Sequence, residues 1–305
     1  MSWSPADIPP QVGRTALVTG VSIGGLGHHT ALELARAGAR VVLAGRTPAK
    51  LEETATTIRG ELPGAELEQL VIDLADLSSV RSAADEAAAY GPIDLLVNNA
   101  GIMATPYRRT VDGLESQLAT NHFGPFLLTG LLLPQLADRG RVVTVSSQMH
   151  RVARRPPLGD PRVKPRPYLR WIAYGQTKLA NLLFTFELDR RLRAAGSSVS
   201  AHAAHPGYAG THLVANGRFG RSTGGVASIL DAANRAVSQS PAIGAWPTLM
   251  AATADLPGST YCGPSGLGES AGPPQLVGWS RQAGDRDAQR ALWDLSEETT
   301  GIRYP

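Results

Sequence analysis

The chain has 305 residues, 43% hydrophobic and 18% charged, with a formal net charge of +3; this describes a globular protein with a sizeable core and gives no case for a nucleic-acid partner. A single cysteine, Cys262, excludes an internal disulfide framework. No stretch approaches the ~18 apolar residues of a membrane span, and Met1–Asp7 lacks the basic-then-apolar order of a secretory signal, so a soluble cytoplasmic protein with no membrane partner is expected.

In chain order, residues 1–13 carry Pro5, Pro9 and Pro10 and read as an N-terminal arm. Ala16-Leu17-Val18 is the first predicted strand, followed by a glycine-rich turn and a helix over about Leu26–Ala37. Arg40–Ala44 is the second strand, and Pro48 opens a helix to about Arg59. A third strand is expected over Leu67–Ile72, a helix over Leu77–Ala89, and a fourth strand over Ile93–Val97. A long helical stretch then runs from about Val111 to Leu136, and Arg141–Val145 is the fifth strand. After an insert come a helix over about Ala173–Arg193 and a sixth strand over Val199–Ala204. Thr260-Tyr261-Cys262 reads as a last short strand, with a helix near Asp285–Thr299. Strands alternating with longer helices imply parallel pairing. The expected fold is α/β: a Rossmann-type doubly wound parallel sheet, three layers α/β/α, in a single domain over 14–305.

The first strand runs into Thr19-Gly20-Val21-Ser22-Ile23-Gly24-Gly25-Leu26-Gly27. Glycines between a strand and a helix let the backbone approach a pyrophosphate and aim free N–H groups at it. Gly20, Ser22, Gly24, Gly25, Leu26 and Gly27 are therefore candidate cofactor-binding residues. At the tip of the second strand an acid would bond a ribose 2′-hydroxyl and repel a 2′-phosphate; this chain has Ala44-Gly45-Arg46. Arg46 can fork onto a phosphate, so NADP(H) is expected in preference to NAD(H).

Tyr174 and Lys178 stand four residues apart at the head of an apolar run, Leu179–Phe184. On a helix that spacing puts them on one face, about 5–6 Å apart. An ammonium there favours the phenolate, although a fall from ~10 to ~7 takes roughly 4 kcal/mol, more than one cation readily supplies. An oxidised nicotinamide ring is a candidate second charge. The pair reads as a general acid/base for a carbonyl oxygen. The plain alternative is a Tyr and a Lys on a helix surface, against which stands the scarcity of lysine: the others are Lys50 and Lys164.

Five segments in order now resemble the short-chain dehydrogenase/reductase family: Thr19–Gly27, Asp73-Leu74, Asn98-Asn99-Ala100-Gly101, Val145-Ser146-Ser147 and Tyr174–Lys178. A sixth, His205-Pro206-Gly207 with Thr211, follows the sixth strand, and the resemblance covers roughly residues 12–250. Ala44-Gly45-Arg46, Asn121-His122-Phe123-Gly124 and Lys178–Phe184 most resemble the retinol dehydrogenase and protochlorophyllide reductase branch. The resemblance implies that Asp73 and Leu74 lie near the adenine, that Asn98 and Ala100 line the cofactor and support the central strand, and that Asn99 and Gly101 belong to the same cofactor-binding segment. Asn121 would shape a helix kink and hold a water linking Lys178 to solvent. Ser147 would bond the substrate oxygen and Tyr174 would handle its proton. Lys178 would bind the nicotinamide ribose and lower the phenol's pKa, while Pro206, Gly207 and Thr211 would touch the nicotinamide side. Two donors, Ser147 and Tyr174, aimed at one oxygen suit a developing oxyanion. The implied activity interconverts an alcohol and a carbonyl on a small, hydrophobic substrate. A homodimer or homotetramer paired through the Tyr174–Lys178 helix and the long helix before it is compatible with the family. The rival readings are a reductase of an activated C=C bond and a nucleotide-sensing protein without turnover.

The chain also departs from the family pattern. One residue more than usual separates Thr19-Gly20 from Gly25-Leu26-Gly27, so either Gly24 or Gly25 takes the middle place and a local bulge is expected. Between Ser147 and Tyr174 lie Arg151, Arg154, Arg155, Arg162, Lys164, Arg166 and Arg170, interleaved with prolines and opposed by Asp160 alone. The prolines rule out a regular helix, and the readings open for the loop are an anion site, a solvated and partly mobile strip, and a subunit contact. Tyr208, His212, Leu213 and Phe219 fall in a substrate lid expected over about 207–240, and Met103, Met149 and Tyr208 are candidates for an apolar pocket. No His, Cys or Asp set has metal-ligand spacing, so no metal is expected.

Overall fold

The computed structural model describes residues 2–208 and 239–304. Its first half alternates as expected: β1 (Thr15–Thr19), α1 (Leu26–Arg36), β2 (Arg40–Gly45), α2 (Pro48–Glu61), β3 (Leu67–Val71), α3 (Leu77–Ala87) and β4 (Ile93–Asn98). Then come α4 (Ser116–Leu118), α5 (Gly124–Leu132), β5 (Leu136–Val145), α6 (Arg170–Ala194) and β6 (Ser200–Ala204). After the undescribed stretch follow α7 (Pro241–Gly244), α8 (Trp246–Thr253), β7 (Tyr261–Pro264), β8 (Pro274–Leu276) and α9 (Arg286–Thr300). The strands form one sheet in the order β3-β2-β1-β4-β5-β6-β7-β8, parallel throughout except for the antiparallel β7–β8 pair. The order reverses beside β1 and β4, and the crevice at such a switch point is where doubly wound sheets bind ligands.

Successive strand residues point to opposite layers. Leu17, Val42, Leu96 and Val142 pack with α3, α5 and α6, while Ala16, Val18, Val41, Leu43, Leu95, Val97 and Val143 pack with α1, α2 and α8. Each fully buried Leu or Val contributes about 1.5–3 kcal/mol of transfer free energy, which holds the strand ends in fixed register. The opening residues lie on this body: Trp3 and Ile8 touch the second cluster, and the Gln11 N–H donates to the Ala37 carbonyl at 2.8 Å.

The helix expected from Val111 to Leu136 is shorter and broken. Gly113, at φ +77°, closes a turn on the Thr110 carbonyl, and the helix starts only where the Glu115 carboxylate caps the Gln117 and Leu118 N–H groups. Ala119–Phe123 is then a π-helical turn, and the chain is already extended at Leu136. Strand β8 and helices α7 and α8 have no counterpart among the expected elements. Pro274–Leu276 carries too little pattern to read, and α8 is apolar nearly all round because it is buried.

The C-terminal helix alters the reading of assembly. Trp293, Ile302 and Tyr304 pack on Phe126 of α5 and on Phe184 and Leu188 of α6. The Tyr304 hydroxyl donates to the Phe126 carbonyl at 2.6 Å, and a methyl added to Gly130 would meet Ile302 and Tyr304 at 2.6 Å. The chain's own end thus packs against α5 and α6, the two helices through which the resemblance implies pairing.

Candidate active site

The glycine turn is fastened from below. The Thr19 hydroxyl accepts the Asn99 and Ala100 N–H groups at 3.0 Å each, and Asn99 Nδ2 donates to the Thr19 and Gly20 carbonyls at 2.7 and 3.1 Å. Gly20 is at φ +75°, and a Cβ there would lie 2.7 Å from Ala100 Cα; one on Gly27 would lie 2.4 Å from the Gly20 oxygen. Gly20 and Gly27 are thus required by backbone-to-backbone contact. The extra residue is absorbed as a hydrogen-bonded turn in place of the expected bulge: the Gly25 N–H bonds the Ser22 carbonyl at 3.0 Å, with Gly24 at φ +70°. Gly25 is the extended cap of α1 and offers no side chain to the first-turn N–H groups. The positive end of the helix is therefore open toward Ser22–Gly25, the donor set a pyrophosphate needs.

Arg46 is exposed just past β2, and Asp73 and Leu74 follow neighbouring β3; the Ile72 N–H bonds the Gly45 carbonyl at 3.0 Å. Asp73 Oδ1 accepts the Ala75 N–H at 2.9 Å, and Leu74 is buried against Gly124, where a Cβ would lie 2.3 Å from the Leu74 oxygen. The two strand tips thus border one edge of the crevice.

The residues expected to handle the proton come from three elements. On α6, Lys178 Nζ lies 5.7 Å from the centre of the Tyr174 ring, as the i,i+4 spacing requires. Ser147, just past β5, caps a short 3-10 turn (Gln148–Arg151) by accepting the Met149 N–H at 3.2 Å. Asn121 sits in the π-helical turn, where its Oδ1 accepts the Ile102 N–H at 2.8 Å and its Nδ2 donates to the Ile102 carbonyl and to Thr177 Oγ1 at 2.9 Å each. The side chain takes part in backbone bonding and opens the helix by one residue, the kink expected of it. A Cβ on Gly101 would lie 3.1 Å from Asn121 Oδ1 and 3.6 Å from Lys178 Nζ, so Gly101 leaves room for both.

Burial dominates the electrostatics of the pair. Burial pushes the Tyr174 phenol up to about 12, with the Ser147 hydroxyl pulling it back, and pushes Lys178 down to about 8. Desolvation penalises phenolate and ammonium alike, so it moves both groups toward their neutral forms. Lys178 is 4% exposed, and its ammonium donates to the Val145 carbonyl at 2.9 Å. Among the described residues no carboxylate shares it, which leaves donors for a ribose hydroxyl. The residues present therefore fit a dinucleotide running from the α1 N-terminus past Lys178.

Pro206 and Gly207 follow β6. Gly207 is at φ +64°, and a Cβ there would lie 2.4 Å from the Ser270 oxygen. Thr211, His212, Leu213 and Phe219, with most of the expected lid, lie outside the described residues. The basic stretch 151–170 has no regular helix, as expected, and is partly engaged with protein: Arg151 pairs with Glu269 at 3.2 Å, and Lys164 Nζ lies 5.0 Å over the Tyr107 ring. Tyr168 donates to Glu115 at 3.0 Å, while Arg154 and Arg155 are exposed. Among the described residues no cluster of three His, Cys, Asp or Glu side chains could hold a metal ion, and no helix is long and apolar enough to cross a membrane. Sequence reasoning passed over Glu269. Its one signal is a lone acid inside the glycine-rich stretch Gly266-Leu267-Gly268-Glu269.

Comparison with known proteins follows the same lines. The family model for short chain dehydrogenases matches residues 14–157. Retinol dehydrogenase 13 from Homo sapiens is 38% identical over 99% of this chain and 88% of its own length. A polyprenol dehydrogenase from Mus musculus is 38% identical over 98% and 87%. The solved structure of an uncharacterized protein from Mycobacterium paratuberculosis is 46% identical, covers 100% of both chains, and superposes with a TM-score of 0.83.

Proposed function

The chain belongs to the short-chain dehydrogenase/reductase family, in its retinol dehydrogenase-like branch, and from that membership we propose an NADP(H)-dependent oxidoreductase in which Tyr174 is the general acid/base. Membership makes it an NAD(P)-dependent enzyme acting between alcohol and carbonyl. The observation that carries the finer reading is the Lys178 ammonium, buried one helical turn from Tyr174, bonded to the Val145 carbonyl and, among the described residues, to no carboxylate, with Ser147 beside the phenol.

A bound nicotinamide supplies or accepts the hydride. In the reducing direction Ser147 Oγ donates a hydrogen bond to the substrate carbonyl oxygen and polarises it. Tyr174 gives that oxygen its proton; a phenol with a raised pKa is fully protonated near neutral pH and ready to donate. Lys178 holds positive charge beside the phenolate that forms, and with Asn121 it lies on the route by which a proton returns. In the oxidising direction the same phenol must first ionise, which the ammonium alone does not secure. Arg46, exposed at the tip of β2 where no acid stands, supports preference for a 2′-phosphate. Two relatives are named for retinol and polyprenol, alcohols with apolar chains, which supports a hydrophobic substrate here.

The test is NADPH consumption by the purified protein against aldehydes and ketones graded by size and charge, with Tyr174→Phe alongside. Turnover is expected to fall by about 10³-fold or more in the variant, within the range of lost acid–base catalysis, while NADPH binding persists. Turnover that survives Tyr174→Phe would remove the phenol from the mechanism. A product that keeps its carbonyl but loses a C=C bond would identify the other chemistry.

A further inference from the structure

Glu269 lies far from Ser147 in sequence and on no element described as part of the site, yet its carboxylate bonds both loops that border the reacting centre. On one side it accepts from Gln148 Nε2 and, through Oε1, from Arg151 Nη2 at 3.2 Å, both on the turn that Ser147 caps. Gln148 Nε2 also reaches the Gly268 carbonyl at 3.3 Å, and Arg151 Nη2 the Gly278 carbonyl at 2.6 Å. On the other side Glu269 Oε2 lies 3.0 Å from Nε2 of His205, a ring with 0% exposure. His205 Nδ1 accepts the Gly207 N–H at 3.2 Å. An acceptor at Nδ1 places the ring proton on Nε2, so His205 donates to Glu269 and the chain Glu269–His205–Gly207 has a single consistent tautomer. Burial holds the His205 pKa down and keeps the ring neutral, against the pull of Glu269. The next residue continues the grip: the Tyr208 N–H donates to the Ser270 carbonyl at 2.7 Å.

The backbone shows that this placement is enforced. Gly268 and Glu269 are both left-handed, at φ +62° and +56°, and for a residue with a Cβ that conformation is uncommon and costs energy. A carboxylate that accepts from an imidazole, an amide and a guanidinium at once is what offsets it.

We propose that Glu269 is a positioning residue that ties the Ser147 turn to the Pro206–Gly207 turn, and so sets the distance between the group that polarises the substrate oxygen and the loop that borders the nicotinamide. The proposal rests on the roles assigned above to Ser147 and to Pro206–Gly207. Removing the carboxylate frees two loops at once. Shortening it by one methylene leaves it able to reach one of them.

The experiment compares wild type with Glu269→Ala, Glu269→Gln and Glu269→Asp by two readouts, amide hydrogen exchange and steady-state reduction of the best aldehyde in the panel. Exchange needs no turnover, so it tests the tie even if the assignment of activity fails. Faster exchange is expected in Glu269→Ala across both 146–152 and 205–208, with the sheet strands unchanged. In the same variant kcat should fall about tenfold to a hundredfold, the cost of misplacing reacting groups by ~1 Å, with KM and NADPH affinity within threefold of wild type. Glu269→Gln keeps an acceptor for His205 and should retain most of the rate; Glu269→Asp should loosen one loop and fall between. Unchanged exchange at both loops, loosening that spreads through the strands, or a kcat equal to wild type in Glu269→Ala would each overturn the proposal. Should Glu269→Ala not fold, the Asp and Gln variants decide on the same terms. A wild type with no turnover and normal loop exchange would instead count against the proposed reaction.

Discussion

The two halves of this molecule position their functional groups by different means. In the first, from β1 to β4, the nucleotide cradle is made of backbone: Gly20 and Gly27 approach their neighbours where no Cβ fits, and the fastening residues Thr19 and Asn99 sit at the ends of adjacent strands. In the second, from Ser147 to the C-terminus, the turns beside Ser147 and Gly207 are held by long side-chain ties from Glu269 to Arg151 and His205, and the C-terminal segment is tied back through Tyr304 to the Phe126 carbonyl and Ser296 to His122 at 2.8 Å. A cradle of backbone is local and reads directly as a motif. A site held by distant side chains depends on the packing of everything between them.

Substitutions that strike one half and spare the other sharpen this contrast. The largest effect is expected from Gly27→Ala: its Cβ would lie 2.4 Å from the Gly20 oxygen, so the turn must open. NADPH affinity should fall beyond detection by fluorescence titration while hydrogen exchange at 146–152 stays near wild type; retained binding would mean the turn tolerates a shift. Trp293→Ala acts on the other half. It removes a ring buried among Phe126, Phe184 and Tyr304 and should lower stability by about 3–5 kcal/mol in urea unfolding, the usual cost of such a truncation. It should also uncover α5 and α6 and raise the apparent mass in size-exclusion chromatography, which tests whether the C-terminal helix keeps copies apart.

Acid should also distinguish the halves. Burial lowers His122 to about 3 and both His150 and His202 to about 4. These groups are neutral in the folded chain and take up protons near ~6.5 when it unfolds. Their contribution to stability is therefore fully present above ~6.5 and is lost as pH falls from there toward 4. The melting temperature should drop over that window, and less steeply in His202→Gln; an unaltered slope would place the acid sensitivity elsewhere. Arg46→Ala should have a smaller effect, raising the Kd for NADPH about tenfold, or ~1.4 kcal/mol, as for one exposed charge-assisted bond, while leaving NADH unaffected. Arg154→Ala with Arg155→Ala is expected to change little, since both side chains are exposed; a rise in KM confined to anionic substrates would make the basic stretch part of the site.

The legible part of the chain is the part whose meaning is carried by short spacing. Strand–turn–helix alternation, the open glycine turn, and a tyrosine one turn from a lysine all involve residues within a few positions of one another, so the pattern survives without knowledge of the fold. Even the kink at Asn121 was accessible through the resemblance, although its cause, two bonds to the Ile102 backbone, was not. The late start of the helix before α5 depended on Glu115 finding Gln117 and Leu118 N–H groups, a competition between turn and helix that periodicity does not rank.

Ser147 joins its site through the family resemblance, but the sequence by itself determined the parallel α/β order, the place of the glycine turn, and the shared helix face of Tyr174 and Lys178. These follow from period, glycine geometry and i,i+4 proximity, which are properties of the local chain. Tertiary structure decided that Tyr174 and Lys178 share a dry interior, that the C-terminal helix packs on α5 and α6, and that Glu269 reaches both loops beside Ser147 and Gly207. Each of those depends on which distant groups share a dry interior, where electrostatic effects are strong and packing admits one arrangement.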